Sequence, residues 1–288
     1  MPNWPEDYIE FVLKDIEESG GVRRAMKAGF IERCMTRHCS PSEIHPNPED
    51  EFSIESVGPS FSIVHDYAME VKKALALELE VFEEPVIVEK LEEDGYMLLN
   101  GHHRWFAARR MQAPKIYIKI VNLIHEGDII RMLEKNHNTK RVSFDLDEVL
   151  LAKSGEAQAE ITDSLLSKRI KERLRTGAPE VIKAFSEKGY DVWIYTAGYL
   201  SEEYISGLLS MYDVKADVII NGVNSKGKSR VKETERVRKL LREKYREAVH
   251  IDNESILKTY SDGRSYEEIM IADHNDWANG ILDALSAM

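Results

Sequence analysis

The chain has 288 residues, 43 % of them hydrophobic and 31 % charged, the balance of a globular protein with room for two modest domains. Its net charge of −12 argues against a protein built to coat nucleic acid or anionic membrane, and its 2 cysteines exclude a disulfide framework and fit a reducing compartment. No apolar run approaches bilayer length and the opening MPNWPEDYIE lacks a signal peptide's apolar segment, so no membrane partner and a cytoplasmic location are expected.

Residues 5–19 read as a helix. Pro5 suits the first turn, Glu6 and Asp7 favour the N-terminus, and Ile9, Val12, Leu13 and Ile16 form one stripe. Gly20 and Gly21 end it, and a second helix is expected from Val22 to Cys39. His38, between Cys34 and Cys39, lacks the second pair of ligands that a metal site needs. Residues 40–60 hold four prolines together with Glu49, Asp50 and Glu51, which makes them a surface loop or a loop that faces substrate. Residues 61–80 read as a helix, Pro85–Val88 as a strand, Glu93-Asp94-Gly95 as a hairpin turn and Tyr96–Leu99 as the return strand. A helix from His102 to Met111 and a strand from Ile116 to Val121 follow.

At Asn100-Gly101-His102-His103-Arg104 a strand ends, a glycine lets the backbone approach closely, and a helix N-terminus offers N–H groups. His102, His103 and Arg104 add side-chain donors, an arrangement that holds an anion, most often phosphate. The plainer alternative is a glycine turn with solvated polar side chains. SEIHPNP, PVIV and YMLLNGHHRWFAARR together resemble the ParB/sulfiredoxin-like fold over roughly residues 40–122. That fold includes the ParB nucleotide-binding module, sulfiredoxin and kinases of free serine. His102 stands where sulfiredoxin carries its cysteine, and GHHR looks most like the free serine kinases. The resemblance implies a nucleotide (ATP, ADP or CTP) at Gly101–Arg104 and an acidic base in the early loop, at Glu49 or Glu51.

Ile129, Ile130, Met132 and Leu133 suggest a bridging helix, with a boundary near Lys140. Beyond it strand and helix alternate, which implies a parallel sheet. The expected strands are Val142–Asp145, Asp191–Tyr195, Asp217–Ile220, Ala248–Ile251 and Glu268–Ala272. The expected helical stretches are Glu156–Arg175, the segment begun by Pro179, and a basic helix from Ser229 to Tyr245. The segment Lys226–Arg246 carries ten basic residues, a solvated face or a contact for a phosphorylated polymer. Asp145 and Asp147, Thr196, and Asp252 with Asn253 each follow the last apolar residue of a strand, at the edge where open α/β sheets bind ligands.

FDLDEVL, IYTAG, a lysine ahead of a helix, and HIDNE, in that order, resemble the four motifs of the haloacid dehalogenase superfamily of phosphatases, over residues 141–288. The short interval between Asp147 and Thr196 fits relatives with little or no cap, and DLDE looks closest to the FCP/SCP type. By that resemblance Asp145 is the nucleophile, Asp147 the acid and base, and Thr196 and Lys228 neutralise the phosphoryl oxygens, with Lys226 or Lys232 as alternatives. By the same resemblance Mg2+ would sit among Asp145, the backbone of Asp147, Asp252 and Asn253. The expected organisation is a helical segment 1–40, a ParB/sulfiredoxin-like α+β domain 41–124, a linker helix 125–140 and a Rossmann-like phosphatase domain 141–288. The expected partner is a phosphorylated small molecule or macromolecule. A kinase–phosphatase fusion, and a nucleotide- or DNA-binding module with a regulatory second half, stand as alternatives.

Overall fold

A computed structural model describes residues 4–18, 23–47, 51–53, 58–92, 95–152, 158–222, 235–253, 255–260, 266–271 and 276–287. The chain divides into two units, Met1–Asn122 and Leu123–Met288.

The first unit is built on a five-stranded sheet in the order β1-β5-β3-β4-β2, formed by β1 (Arg37–Cys39), β2 (Ile44–His45), β3 (Val86–Lys90), β4 (Tyr96–Asn100) and β5 (Ile116–Ile120). β3 and β4 are antiparallel, while β3 with β5 and β2 with β4 run parallel. Helices α1 (Trp4–Glu18), α2 (Phe30–Cys34), α3 (Phe61–Ala76) and α4 (His102–Arg110) complete it. Helix α3 buries Val64, Ala68 and Val71, the i, i+4, i+7 stripe of an amphipathic helix, in a core with Trp105, Leu98 and Ile118. Asp15 fastens α1: its carboxylate is 2.8 Å from His45 Nδ1 and accepts from Arg23 Nη2 at 3.1 Å.

The helix expected over 22–39 is not what forms. Only Phe30–Cys34 is helical, and Arg37–Cys39 pairs with Ile116–Ile118 as a sheet edge. Gly29 begins the short helix, and the ladder to β5 satisfies backbone groups that a longer helix would otherwise have used. Cys39 is buried there, and burial pushes its thiol up to about 12, which keeps it protonated at neutral pH.

The second unit is a six-stranded sheet in the order β11-β10-β9-β6-β7-β8. Its strands are β6 (Lys140–Asp145), β7 (Tyr190–Tyr195), β8 (Val218–Ile220), β9 (Glu247–Ile251), β10 (Ser255–Tyr260) and β11 (Tyr266–Met270). β9, β6, β7 and β8 run parallel, and β10 and β11 add an antiparallel hairpin. Helices α6 (Ala178–Glu187), α7 (Glu202–Ser210) and α9 (Trp277–Ala287) join one core with Val142, Phe144, Val192 and Ile194. Helices α5 (Glu126–Lys135) and α8 (Glu235–Lys244) join another with Trp193. Alternate residues of the strands thus feed separate cores, as a parallel sheet requires. Among the described residues no helix is long and apolar enough to cross a membrane.

Four features differ from the sequence reading. Residues 125–140 are not a bare linker, since Ile129 and Leu133 of α5 are core residues of the second unit. Among the described residues of Glu156–Arg175 the one helical turn is Leu165–Lys168; Ile161 and Leu165 are exposed, so no apolar stripe holds a longer helix. The last strand arrives antiparallel, because Ser255–Tyr260 forms an extra strand; SDGR between two β-prone runs is a hairpin signal. Helices α7 and α9 were not expected, although Ser201 followed by Glu202 and Glu203 is an N-terminal signature, and Ser201 Oγ accepts from Tyr204 N at 3.2 Å.

Gly177 and Gly189 both adopt positive φ, +81° and +78°, at the two ends of α6. A Cβ on Gly177 would stand 2.4 Å from Ala278 Cβ, whereas one on Gly189 meets nothing within 4 Å. Gly189→Ala is expected to lose about 1–2 kcal/mol from the left-handed backbone alone. Gly177→Ala should lose about 1–3 kcal/mol more through overpacking. Urea unfolding of the two variants checks the difference, and equal losses would refute it.

Candidate functional site

Parallel pairing brings the chemistry of the second unit to one edge. Asp145 lies opposite Tyr195, so Thr196 follows beside it just past the end of β7. Phe144 lies opposite Ile251, so Asp145 and Asp252 emerge side by side from β6 and β9. The next strand after β6 in the chain lies on one side of it and β9 on the other, which makes this carboxyl edge a topological switch point.

After Asp145 the chain makes one π-helical turn, Leu146–Leu150, anchored by the buried side chains of Leu146, Val149 and Leu150. Asp145 Oδ1 accepts from Glu148 N at 2.7 Å. Burial raises the Asp145 carboxyl above the usual carboxylate range, the hydrogen bond from Glu148 N opposes this, and the charges of Asp147 and Glu148 add to the rise. Asp147 Oδ2 accepts from Thr196 Oγ1 and from Ala197 N, both at 2.8 Å. Thr196 Oγ1 accepts in turn from Gly198 N at 3.0 Å and is fully buried. The hydroxyl expected to meet phosphoryl oxygens is therefore aimed at Asp147, because a buried hydroxyl takes the nearest strong acceptor.

Asn253 also departs from expectation. Its Oδ1, the atom expected on the metal, accepts from Arg175 Nη1 at 2.8 Å, and its Nδ2 donates to Glu148 O at 2.8 Å. A guanidinium already on that oxygen opposes a second cation there. Asp252 Oδ1 accepts from Asn253 N at 2.7 Å. Among the described residues no group of three or more His, Cys, Asp or Glu side chains is gathered for a metal ion. The carboxylates of Asp145 and Asp252 on adjacent strands are nonetheless hard oxygen ligands of the type Mg2+ takes while keeping several waters. Of the expected side-chain ligands, Asp145 and Asp252 are the two of suitable chemistry, and Asn253 Oδ1 is already engaged by Arg175. Lys228, Lys226 and Lys232 lie outside the described residues. Sequence reasoning missed Arg175 and Trp277, whose places in RLRTG and NDWAN carry no motif.

In the first unit Gly101 has φ +91°, starts α4, and would set a Cβ 3.2 Å from Arg104 Nη2 and 3.3 Å from Val86 Cγ2. A side chain there would be strained and crowded, which suits the glycine. His102 is buried and stacks on Phe52 at 4.5 Å between ring centroids, and His103 meets the same ring edge-on at 5.3 Å. His103 Nε2 accepts from Ser60 N at 3.0 Å, so it is not a donor there. Arg104 donates to the Glu84 carboxylate and, at 3.4 Å, to Pro85 O. The three side chains are thus engaged with protein groups. Glu49 lies outside the described residues. Glu51 opens a short 3-10 turn, and its side chain is also outside them.

The family model "ParB N-terminal domain" matches residues 76–137, which run from the end of α3 through β3, β4, α4 and β5 to α5. The chain carries a ParB-like domain. Among solved structures, the C-terminally truncated chromosome-partitioning protein ParB from Caulobacter crescentus complexed with CTP-gamma-S is similar at 17 % identity and a TM-score of 0.26. The alignment covers 36 % of this chain and 56 % of that one, so the chain spans little more than half of its length. No curated protein matches.

Burial first, and then the charge of His102, hold His103 below the ordinary histidine range. The neutral ring is the form that accepts from Ser60 N, so the folded state disfavours the proton that the unfolded chain binds near pH ~6.5. Stability from this group is complete above that pH and is lost as pH falls through the folded value. Amide exchange in β3–β5 should accelerate between pH 7.5 and 5, once corrected for intrinsic rates, and less so in His103→Gln. Identical pH profiles would refute the assignment.

Proposed function

We propose that the second unit is a phosphomonoester hydrolase of the haloacid dehalogenase type that works through Asp145. One observation carries this reading: Asp147 is oriented by Thr196 Oγ1 and Ala197 N beside a half-buried strand-end carboxylate. Two neighbouring carboxylates in such different settings suit different roles. Asp145 forms a bond to phosphorus as the ester P–O bond breaks. With Oδ2 held by two donors, Asp147 uses Oδ1 to carry the proton that goes to the leaving oxygen. It then takes a proton from the water that attacks phosphorus, which releases phosphate and Asp145. When bound at Asp145 and Asp252, Mg2+ supplies positive charge against the carboxylates and the phosphoryl oxygens. A lysine from 226–232 would complete the phosphoryl contacts.

The ParB-like domain, in this reading, binds a nucleotide or the phosphorylated substrate at Gly101–Arg104. The match over residues 76–137 and the strand–glycine–helix junction support it. The phosphate would take the Arg104 guanidinium from Glu84, whose side chain is largely exposed and so loses little on release.

A panel of phosphomonoesters with and without Mg2+ tests the hydrolase. Activity is expected to vanish in excess chelator, and Asp145→Asn, of nearly equal volume, should fall below about a tenth of the wild-type rate with the fold intact. An Asp145→Asn variant that keeps more than about a tenth of the rate would sink the covalent mechanism, and full activity in excess chelator would sink the metal site. Titration calorimetry with ATP, ADP and CTP tests the other unit. Arg104→Ala should weaken binding about ten- to a hundredfold, the loss of one charge-assisted contact. Absence of binding by wild type at millimolar nucleotide would remove the nucleotide site, and phosphate transfer to free serine would make the protein a kinase–phosphatase fusion.

A further inference from the structure

We propose that Arg175 is a positioning residue that, through Asn253, fixes the spacing between the turn carrying Asp145 and Asp147 and the end of β9 carrying Asp252. The proposal rests on the hydrolase reading of that edge and adds a residue from the loop ahead of α6, which no motif of the sequence marks.

Arg175 is 9 % exposed, an unusual burial for a guanidinium, and such a charge is costly unless oxygens and ring faces receive it. Its Nη1 donates to Asn253 Oδ1 at 2.8 Å and to Val149 O at 3.4 Å, and its main-chain N donates to Leu150 O at 2.8 Å. Its guanidinium lies 4.3 Å from the centroid of the Trp277 ring, whose Nε1 donates to Asp252 O at 3.3 Å. Asn253 closes the circuit by donating from Nδ2 to Glu148 O at 2.8 Å. Three successive carbonyls of the π-turn, those of Glu148, Val149 and Leu150, are therefore tied to Arg175 or to the side chain it holds. Glu148 N is tied to Asp145 itself. With both ends of its amide engaged, Asn253 serves as a splint between two strand ends. A planar guanidinium can stack and donate at once; a lysine ammonium cannot reproduce that fork.

The test uses the full chain, p-nitrophenyl phosphate and Mg2+, with Arg175→Met, Arg175→Lys, Asn253→Ala and the Arg175→Met/Asn253→Ala pair. Each single variant is expected to lower kcat about tenfold or more while KM changes less than about threefold, since the reacting groups remain but lose their spacing. The double variant should be no worse than Arg175→Met, because the two residues act as a unit, and Arg175→Lys should not restore the rate. Amide exchange gives a readout that needs no activity: the amides of Glu148 and Leu151 should exchange about tenfold faster in Arg175→Met while those of β7 stay unchanged. Additive losses of kcat, unaltered exchange at Glu148 and Leu151, or faster exchange throughout β7 would each overturn the positioning role. A wild-type chain without phosphatase activity would count against the hydrolase reading, and the exchange measurement would then decide the role of Arg175 alone.

Discussion

Strand β6 is hydrogen-bonded in parallel on both sides, to β7 and to β9, and that double register determines what can stand near Asp145. A slip of one residue in either ladder would turn every side chain to the opposite face. It would also carry Thr196 or Asp252 away from the edge. The register is held by the apolar alternation: Val142 and Phe144, Val192 and Ile194, and Val249 and Ile251 all enter one core and are almost fully buried. Moving any of them to the other face would expose the side chain or force it against Trp193 and its neighbours. The polar edge is thus specified by apolar residues that never touch it.

The carboxylates at that edge repel one another, and the protein answers with directed donors rather than with a nearby lysine among the described residues. Asp145 receives Glu148 N, Asp147 receives Thr196 and Ala197, and Asp252 receives Asn253 N. Main-chain donors stabilise a carboxylate without placing a full positive charge beside it. The edge therefore keeps its negative field, which is what a hard divalent cation requires. Arg175, a guanidinium drawn close, directs its charge to Asn253 and to the Trp277 ring.

Much of this was legible in the sequence because it depends on local pattern. Strand ends, the Asp145–Asp147 spacing and the glycine before α4 follow from alternation and from turn chemistry, which act over a few residues. What was not legible depends on tertiary pairing. Arg37–Cys39 has no strong strand pattern and becomes a strand because β5 offers an edge. The charged stretch Glu156–Arg175 reads as helix in the sequence, but among its described residues Arg173 donates to the carbonyls of Ser167, Ile170, Lys171 and Glu172 and holds an irregular loop. The roles of Thr196 and Asn253 also changed in space. Their positions followed from motif spacing, but the atoms they face depend on partners, Asp147 and Arg175, that a spacing does not orient.

In each unit a strand runs directly into a helical turn at a candidate site. At Asn100–His102 a strand runs through a left-handed glycine into a helix, and the first turn offers N–H groups toward the strand end. At Asp145–Leu150 a strand runs into a π-turn without a glycine, and the strand-end carboxylate consumes one of those N–H groups itself. The first junction has no side chain before the turn to cap it, whereas the second is capped by Asp145 itself. The difference comes down to whether the residue before the helical turn has a carboxylate or no side chain at all. Gly101→Asp would therefore not convert one site into the other. Its positive φ and the 3.2 Å approach of Arg104 leave a carboxylate no place from which to cap the turn.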